Sequence, residues 1–310
     1  MADQPITSAA GSLGSSGANT LLRYLETQFV RAARNTGMPM KFTMDVSGAV
    51  ASKGNQVGVY IAPDITSSLL TDGSAATQDD TPGTTSNVTL NRHRYTKFSL
   101  TQVARALDGD FTTQKLLDSR ITGVLNGVEE DVLSLAPSFT TNANAGTFNT
   151  ALTEAECAEA TRKLMGQKAP GPYIALVKAG DVTTWEALVQ IANFTQANTS
   201  GKENPVFNLG YGQGRFFHGA YYFYCHGVNQ SGTSTSNLVY SQNAIAVAMR
   251  LPALPMSPGV AVQNIVDSES GIAFQVVMNF NGDRLADEIT VHTLYGYGIT
   301  KNAYGVELRS

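Results

Sequence analysis

Charge is scarce in this chain of 310 residues. Lys and Arg total 21 and Asp and Glu 25, so charged residues make up 15%, against about 25% in an average soluble domain. The formal net charge is -4. A chain this weakly charged and slightly acidic lacks the basic footprint of a dedicated DNA- or RNA-binding surface. Cysteine is nearly absent: Cys157 and Cys225 are the two in the chain, which excludes a disulfide framework and makes reduced thiols, packed as small hydrophobes, the default. Long apolar runs are missing too. Ala244–Met249 is among the longest, far short of the 18 or so residues that a membrane helix needs. The first twenty residues have neither a basic start nor an apolar core segment, so no secretory signal is expected there. With 42% hydrophobic residues, the chain has enough apolar side chains to bury a core, and wholesale disorder is excluded.

The elements follow from spacing. Residues 1–18, rich in Ser, Ala and Gly, read as a mobile arm. Asn19 and Thr20 offer an N-cap, and Leu21, Leu22, Leu25, Phe29 and Ala33 fall at helical spacing before Gly37 and Pro39. From Lys41 to Phe98 the pattern is extended. Gln56–Ile61 alternates, and Val88–Tyr95 reads as its partner strand across a loop of roughly twenty residues, 67–86, full of Thr, Ser, Gly and Asp. A two-stranded ribbon of this kind is marginal alone and needs a surface to lie on.

Ser99–Gln102 reads as a capping box opening a short helix that stops at Gly109, and Asp110 as the cap of a long helix over 111–135. Leu117, Ile121, Val124, Val128, Val132 and Leu135 form the apolar stripe of that helix, with Lys115, Asp118, Arg120, Asn126, Glu129 and Glu130 opposite. Gly123 and Gly127 inside it suggest close packing. Residues 151–255 read as an α/β unit: a capping box at Thr153–Glu156, a helix to Gly166, a buried strand at Tyr173–Val177, and a helix capped by Asp181 with Trp185, Leu188, Val189 and Ala192 on one face. A Gly-rich stretch, 194–214, and an aromatic strand pair, Arg215–His226, follow. The last segment is a hairpin, with Ile272–Asn279 and Glu288–Leu294 flanking the turn Asn281-Gly282-Asp283-Arg284.

Catalytic signatures are wanting. Gly201-Lys202 is followed by Glu203 and has Gln196 where a phosphate loop needs its first glycine. Gly212-Gln213-Gly214 lacks the third glycine of a dinucleotide fingerprint. His93, His218, His226 and His292 stand at no zinc-ligand spacing. Glu129-Glu130-Asp131 reads as a solvated helix face, since consecutive helical positions point apart. The run Phe216-Phe217 and Tyr221–Tyr224 has Arg215 as its one basic neighbour, and reads as a packed strand with tyrosines reaching an interface. No catalytic residue, metal ligand or cofactor site is therefore assigned.

The order of elements is more informative. Arm, short helix, ribbon, long helix, α/β unit and return hairpin resemble the major capsid protein of tailed bacteriophages, the Hong Kong 97-type coat fold. The stretch Pro205–Val228 is similar to the family's Gly-x-Gly-containing stretch before an apolar strand, and the ending 283–291, followed by Leu294-Tyr295-Gly296 and Tyr304-Gly305-Val306, resembles the family's C-terminal strands most specifically. The resemblance implies an α+β fold: an N-terminal arm and short helix (1–40), an extended-loop ribbon (41–98), a spine helix of the peripheral domain (99–150), an axial domain (151–255) and return strands of the peripheral domain (256–310). It implies a structural protein that assembles with itself as pentamers and hexamers into an icosahedral head, formed in the host cytoplasm. The head would enclose double-stranded DNA without reading its sequence, with scaffolding, portal and decoration proteins as further partners and no membrane. A mild negative charge suits such a container, because a basic lining would trap the polyanion. The candidate subunit-interface residues are Lys53, Asp79, Asp80, Arg92 and Arg94 on the ribbon and Asp283, Arg284, Asp287 and Glu288 at the hairpin turn. An encapsulin-like compartment shell is the alternative with the same fold; a two-domain hydrolase or ligand-binding protein is the alternative of another class.

Overall fold

The computed structural model describes residues 38–49, 54–62, 82–188, 215–256, 260–266 and 272–310, with isolated positions between 67 and 75. The expected arm, the helix from Asn19 and the Gly-rich stretch 194–214 lie outside them.

Fifteen strands are described: β1 (Met44–Asp45), β2 (Gln56–Ile61), β3 (Thr84–Thr89), β4 (Arg92–Thr101), β5 (Ala145–Gly146), β6 (Tyr173–Lys178), β7 (Arg215–Phe217), β8 (Ala220–Cys225), β9 (Asn229–Ser231), β10 (Ser234–Ser241), β11 (Ile245–Arg250), β12 (Ala261–Val266), β13 (Ala273–Asn281), β14 (Ala286–Ile299) and β15 (Gly305–Arg309). Two long helices accompany them, α1 (Gln102–Leu133) and α2 (Glu154–Gly166).

Sheet I runs β1-β11-β14-β13-β12, and β14 also pairs with β4. Because β4 pairs with 286–295 of β14, β13 with 286–292 and β11 with 294–299, β4 lies on one side of β14 while β13 and β11 share the other. Sheet II runs β5-β15-β10-β6-β8-β7, with β9 on β10. The chain crosses between the sheets twice near its end: β11 follows β10 into sheet I, and β15 returns to sheet II.

The long helix α1 lies in the groove between the sheets. Its buried Ile121, Val124, Leu125, Val128 and Val132 share one core with Phe274, Val276, Met278, Ile289, Val291 and Tyr295 of sheet I and with Ile174, Leu176, Phe223, Leu238 and Tyr240 of sheet II. From Ile121 to Val132 the stripe predicted for this helix is therefore buried, against both sheets. Sheet II presents the alternate residues of the same strands, Tyr173, Ala175, Val177, Tyr222 and Val239, to a second core under α2 with Cys157, Ala160 and Leu164. That double burial explains why β6 reads as an uninterrupted apolar run.

Two local readings are corrected. Ser99 does not open a short helix: Ser99–Thr101 ends β4, paired with Ala286–Glu288, and one helix of 32 residues, about 48 Å long, starts at Gln102 and passes through Gly109. The glycine costs about 1 kcal/mol relative to Ala, too little to break a helix anchored by burial over its last four turns. The partner of β2 is β3, which takes in only Val88 and Thr89 of the expected 88–95. The chain turns at Leu90-Asn91, and from Arg92 it enters sheet I, where a full ladder with β14 outcompetes a two-stranded pairing. The ribbon base also has a small core: Val57, Val59, Val88 and Leu90 pack on Ala246 and Ala248. Gly296 permits that seat, since a Cβ there would stand 2.2 Å from the Thr89 carbonyl oxygen.

Other expectations hold. Thr153 and Glu156 form a reciprocal capping box at α2. The aromatic strands β7 and β8 pair as a hairpin, its turn made by His218 and Gly219 at φ 45° and 82°. The terminal hairpin forms across β13 and β14, with Asp283 N–H donating to Asn281 Oδ1 at 3.0 Å in the turn.

Candidate assembly surface

The structure distributes the candidate interface residues unevenly. Lys53, Asp79 and Asp80 lie outside the described residues. Arg92 is exposed on β4, its guanidinium 5.8 Å from the centre of the Tyr297 ring. Arg94, two residues on and on the same face of the strand, is tied within its own chain. Its Nη2 lies 2.9 Å from Asp131 Oδ1 and its Nε donates to Asp131 Oδ2 at 3.0 Å and to the Tyr295 hydroxyl at 3.2 Å. The Tyr295 hydroxyl donates to the same carboxylate. Burial works against the charged form of Asp131, but the hydrogen bonds from Arg94 and Tyr295 outweigh it and hold the carboxyl below its ordinary range. Gly127 makes room for this clamp: a Cβ there would meet Arg94 Nη1 at 2.4 Å.

At the hairpin, Glu288 is buried. It accepts from Lys97 Nζ at 2.6 Å and from Asn281 Nδ2 at 3.0 Å, and the Lys97 contact leads in lowering its pKa. Asp283 and Arg284 are exposed at the tip, flanked by exposed Leu285 and Phe280, while Asp287 is half-buried. The tip thus presents both charges and apolar surface, and its base is pinned by Lys97.

Glu129 was expected on a solvated face and is instead 1% exposed. Its Oε1 accepts from Cys225 Sγ at 2.7 Å and from the Gly227 N–H at 2.9 Å. The signal existed in the sequence: position 129 is four residues after Leu125 and three before Val132, inside the apolar stripe. The other cysteine, Cys157, lies on the buried face of α2, where burial pushes its thiol up to about 12. Both sulfurs are buried, as the composition implied, but Cys225 also serves as a donor. Among the described residues no three His, Cys, Asp or Glu side chains converge on a point that would hold a metal ion. No described helix is long and apolar enough to cross a membrane.

No family model and no curated protein sequence matches the chain. Solved structures do. The capsid of cyanophage P-SCSP1u aligns with 86% of this chain and 86% of its own, at 12% identity and a TM-score of 0.58. A structure from Gordonia phage Cozz aligns with 100% and 98%, at 11% identity and a TM-score of 0.58. The chain has the phage capsid fold. A virus-like particle from Pyrococcus furiosus aligns as well, over 92% of this chain and 97% of its own, at 11% identity and a TM-score of 0.53. The mixed α/β architecture inferred from element order is therefore found, with a ribbon seated on the face of sheet I and a helix of 32 residues between two sheets.

Proposed function

We propose that this chain is the shell subunit of a phage head, a structural protein rather than an enzyme, assembling with itself as pentamers and hexamers around double-stranded DNA. The observation that carries this reading is the extent of the fold likeness: the capsid of cyanophage P-SCSP1u and this chain align over 86% of both. In this reading residues 99–150 and 256–310 form the peripheral domain, 151–255 the axial domain, and 41–98 the extended loop. The axial unit would point its aromatic hairpin, with Phe216 60% and Tyr221 42% exposed, toward other copies. The exposed hairpin tip at Asp283 and Arg284 would meet neighbours around the local three-fold axes. Such contacts, repeated by symmetry, give a closed shell from individually weak interactions.

The test is the particle mass of the purified full-length chain. A monomer is 32.9 kDa, whereas a closed icosahedral shell of about 60 or more copies is on the order of 2 MDa or above. Sedimentation and negative-stain microscopy are expected to show closed shells. A uniform monomer or dimer under all salt and crowding conditions, also when co-expressed with the gene's neighbours, overturns the proposal.

A further inference from the structure

His93 and His292 are 199 positions apart, yet the β4–β14 ladder brings His93 Nε2 to 3.0 Å from His292 Nδ1. We propose that this pair is a binding site for a borderline divalent transition metal such as Zn2+ or Ni2+, on the face of sheet I that points away from α1.

The geometry points there in three ways. First, the separation suits a chelate. Zinc binds imidazole nitrogen at about 2.0–2.1 Å. Two such nitrogens in cis positions on one ion then stand about 3.0 Å apart at a right angle and about 3.4 Å apart at the tetrahedral angle. The observed 3.0 Å falls at the lower edge of that range, so small ring rotations suffice. Second, the site is open on the side an ion must enter. His93 is exposed and His292 half-buried, and the remaining coordination positions are left for water. In the metal-free pair one ring donates N–H to the other. Moving the His93 proton to Nδ1 leaves both facing nitrogens with lone pairs and changes no charge.

Third, a supporting group stands where one is needed. A histidine that binds metal through one nitrogen donates its other N–H to a carbonyl or carboxylate, which fixes the ring. If His292 ligates through Nδ1, its Nε2–H is left to donate, and β13 runs on the side of β14 away from β4. There Gln275 is registered directly opposite His292. Gln275 is 1% exposed, its Nε2 donates to the Pro252 carbonyl and to Asn264 Oδ1, and its Oε1 has no hydrogen-bond partner. A buried acceptor without a donor is costly; the structure holds no bond between it and His292, and the His292 N–H is the donor that the register lets it meet on metal binding. Competing cations nearby are accounted for: Arg94 is held by Asp131 on the opposite face, and Lys97 by Glu288. The inference does not depend on the shell reading, since both histidines and Gln275 belong to one subunit.

The experiment is isothermal titration of the purified full-length protein with ZnCl2 and, separately, NiCl2, alongside MgCl2 as the hard-ion control. One Zn2+ or Ni2+ per chain is expected, with no heat from Mg2+. His93→Ala and His292→Ala are each expected to weaken binding by at least tenfold, and Gln275→Leu by a smaller factor, while His226→Ala leaves it unchanged. His93 is exposed, so its removal leaves folding intact, which circular dichroism verifies. Absence of binding at millimolar metal, or equal binding by the parent and the His93→Ala variant, overturns the proposal.

Discussion

The Glu129 carboxylate holds the Cys225 thiol at 2.7 Å, and with the Gly227 N–H at 2.9 Å this ties the spine of the molecule to its second sheet. A buried carboxylate on α1 thereby closes the end of β8, where the chain turns toward β9 of the same sheet. Glu129→Ala removes the acceptor that two buried donors share and is expected to lose about 2–4 kcal/mol of stability. Glu129→Gln keeps an acceptor oxygen in place and is expected to lose clearly less. Urea unfolding of both variants is the measurement. Equal losses would mean that packing rather than hydrogen bonding makes the contact.

Three glycines separate helix propensity from steric room. A Cβ at Gly123 meets nothing within 4 Å, so Gly123→Ala is expected to stabilise by up to about 1 kcal/mol. At Gly127 the same change pushes on the flexible end of Arg94, and loosening of the Asp131 clamp is expected to cancel the gain. At Gly296 the Cβ would meet a backbone carbonyl at 2.2 Å, which cannot swing aside. Gly296→Ala is expected to lift β3 off sheet I and raise protease cleavage within 54–90. Thermal melts and limited proteolysis report all three, and a stabilised Gly296→Ala would contradict the ribbon's seat.

Asp131 makes the fold acid-sensitive in a specific window. Its carboxyl is lowered in the folded state relative to an unfolded value of about 3.9. The clamp's contribution is therefore fully present above about pH 4 and is lost as the pH falls through the lower, folded value. The stability difference between the parent and Asp131→Asn is expected to be constant from pH 7 to about 5 and to shrink toward pH 2. Denaturant unfolding across that range tests it, and a difference that does not change with pH would show that the charge is not what matters.

Val128 is 1% exposed within the core under both sheets. Val128→Asp buries an unpaired charge, at a cost of several kcal/mol against a total stability of about 5–15. Loss of soluble expression is expected. Soluble protein that melts like the parent would show that α1 presents another face to the core.

Arg284 is exposed at the tip of the β13–β14 hairpin. Arg284→Glu is expected to leave the melting temperature of the subunit nearly unchanged while lowering particle yield, and the deficit is expected to depend on salt. Sedimentation at low and high salt is the assay. Equal yields at both would make the turn a solvated loop with no part in assembly.

Much of the fold was written in local periodicity. The apolar stripe of Ile121, Val124, Val128 and Val132, the solid run of β6, the capping box at Thr153 and the turn between β13 and β14 each depend on residues within about one helical repeat or one hairpin, and each was legible in the sequence. Their order along the chain was enough to suggest the capsid fold that the comparison of structures then found. What stayed hidden depends on partners brought from far away. The continuity of α1 through Gly109 and the transfer of Arg92–Thr101 to β14 were decided by burial and by a ladder with residues nearly 200 positions distant. Glu129 is a buried acceptor rather than a solvated charge because Cys225 and Gly227 arrive beside it from 96 and 98 positions away. His93 and His292 meet for the same reason. Spacing along a chain encodes which side of an element is apolar, but the state of a polar side chain is set by the donor, acceptor or charge opposite it, and the tertiary structure alone supplies that neighbour.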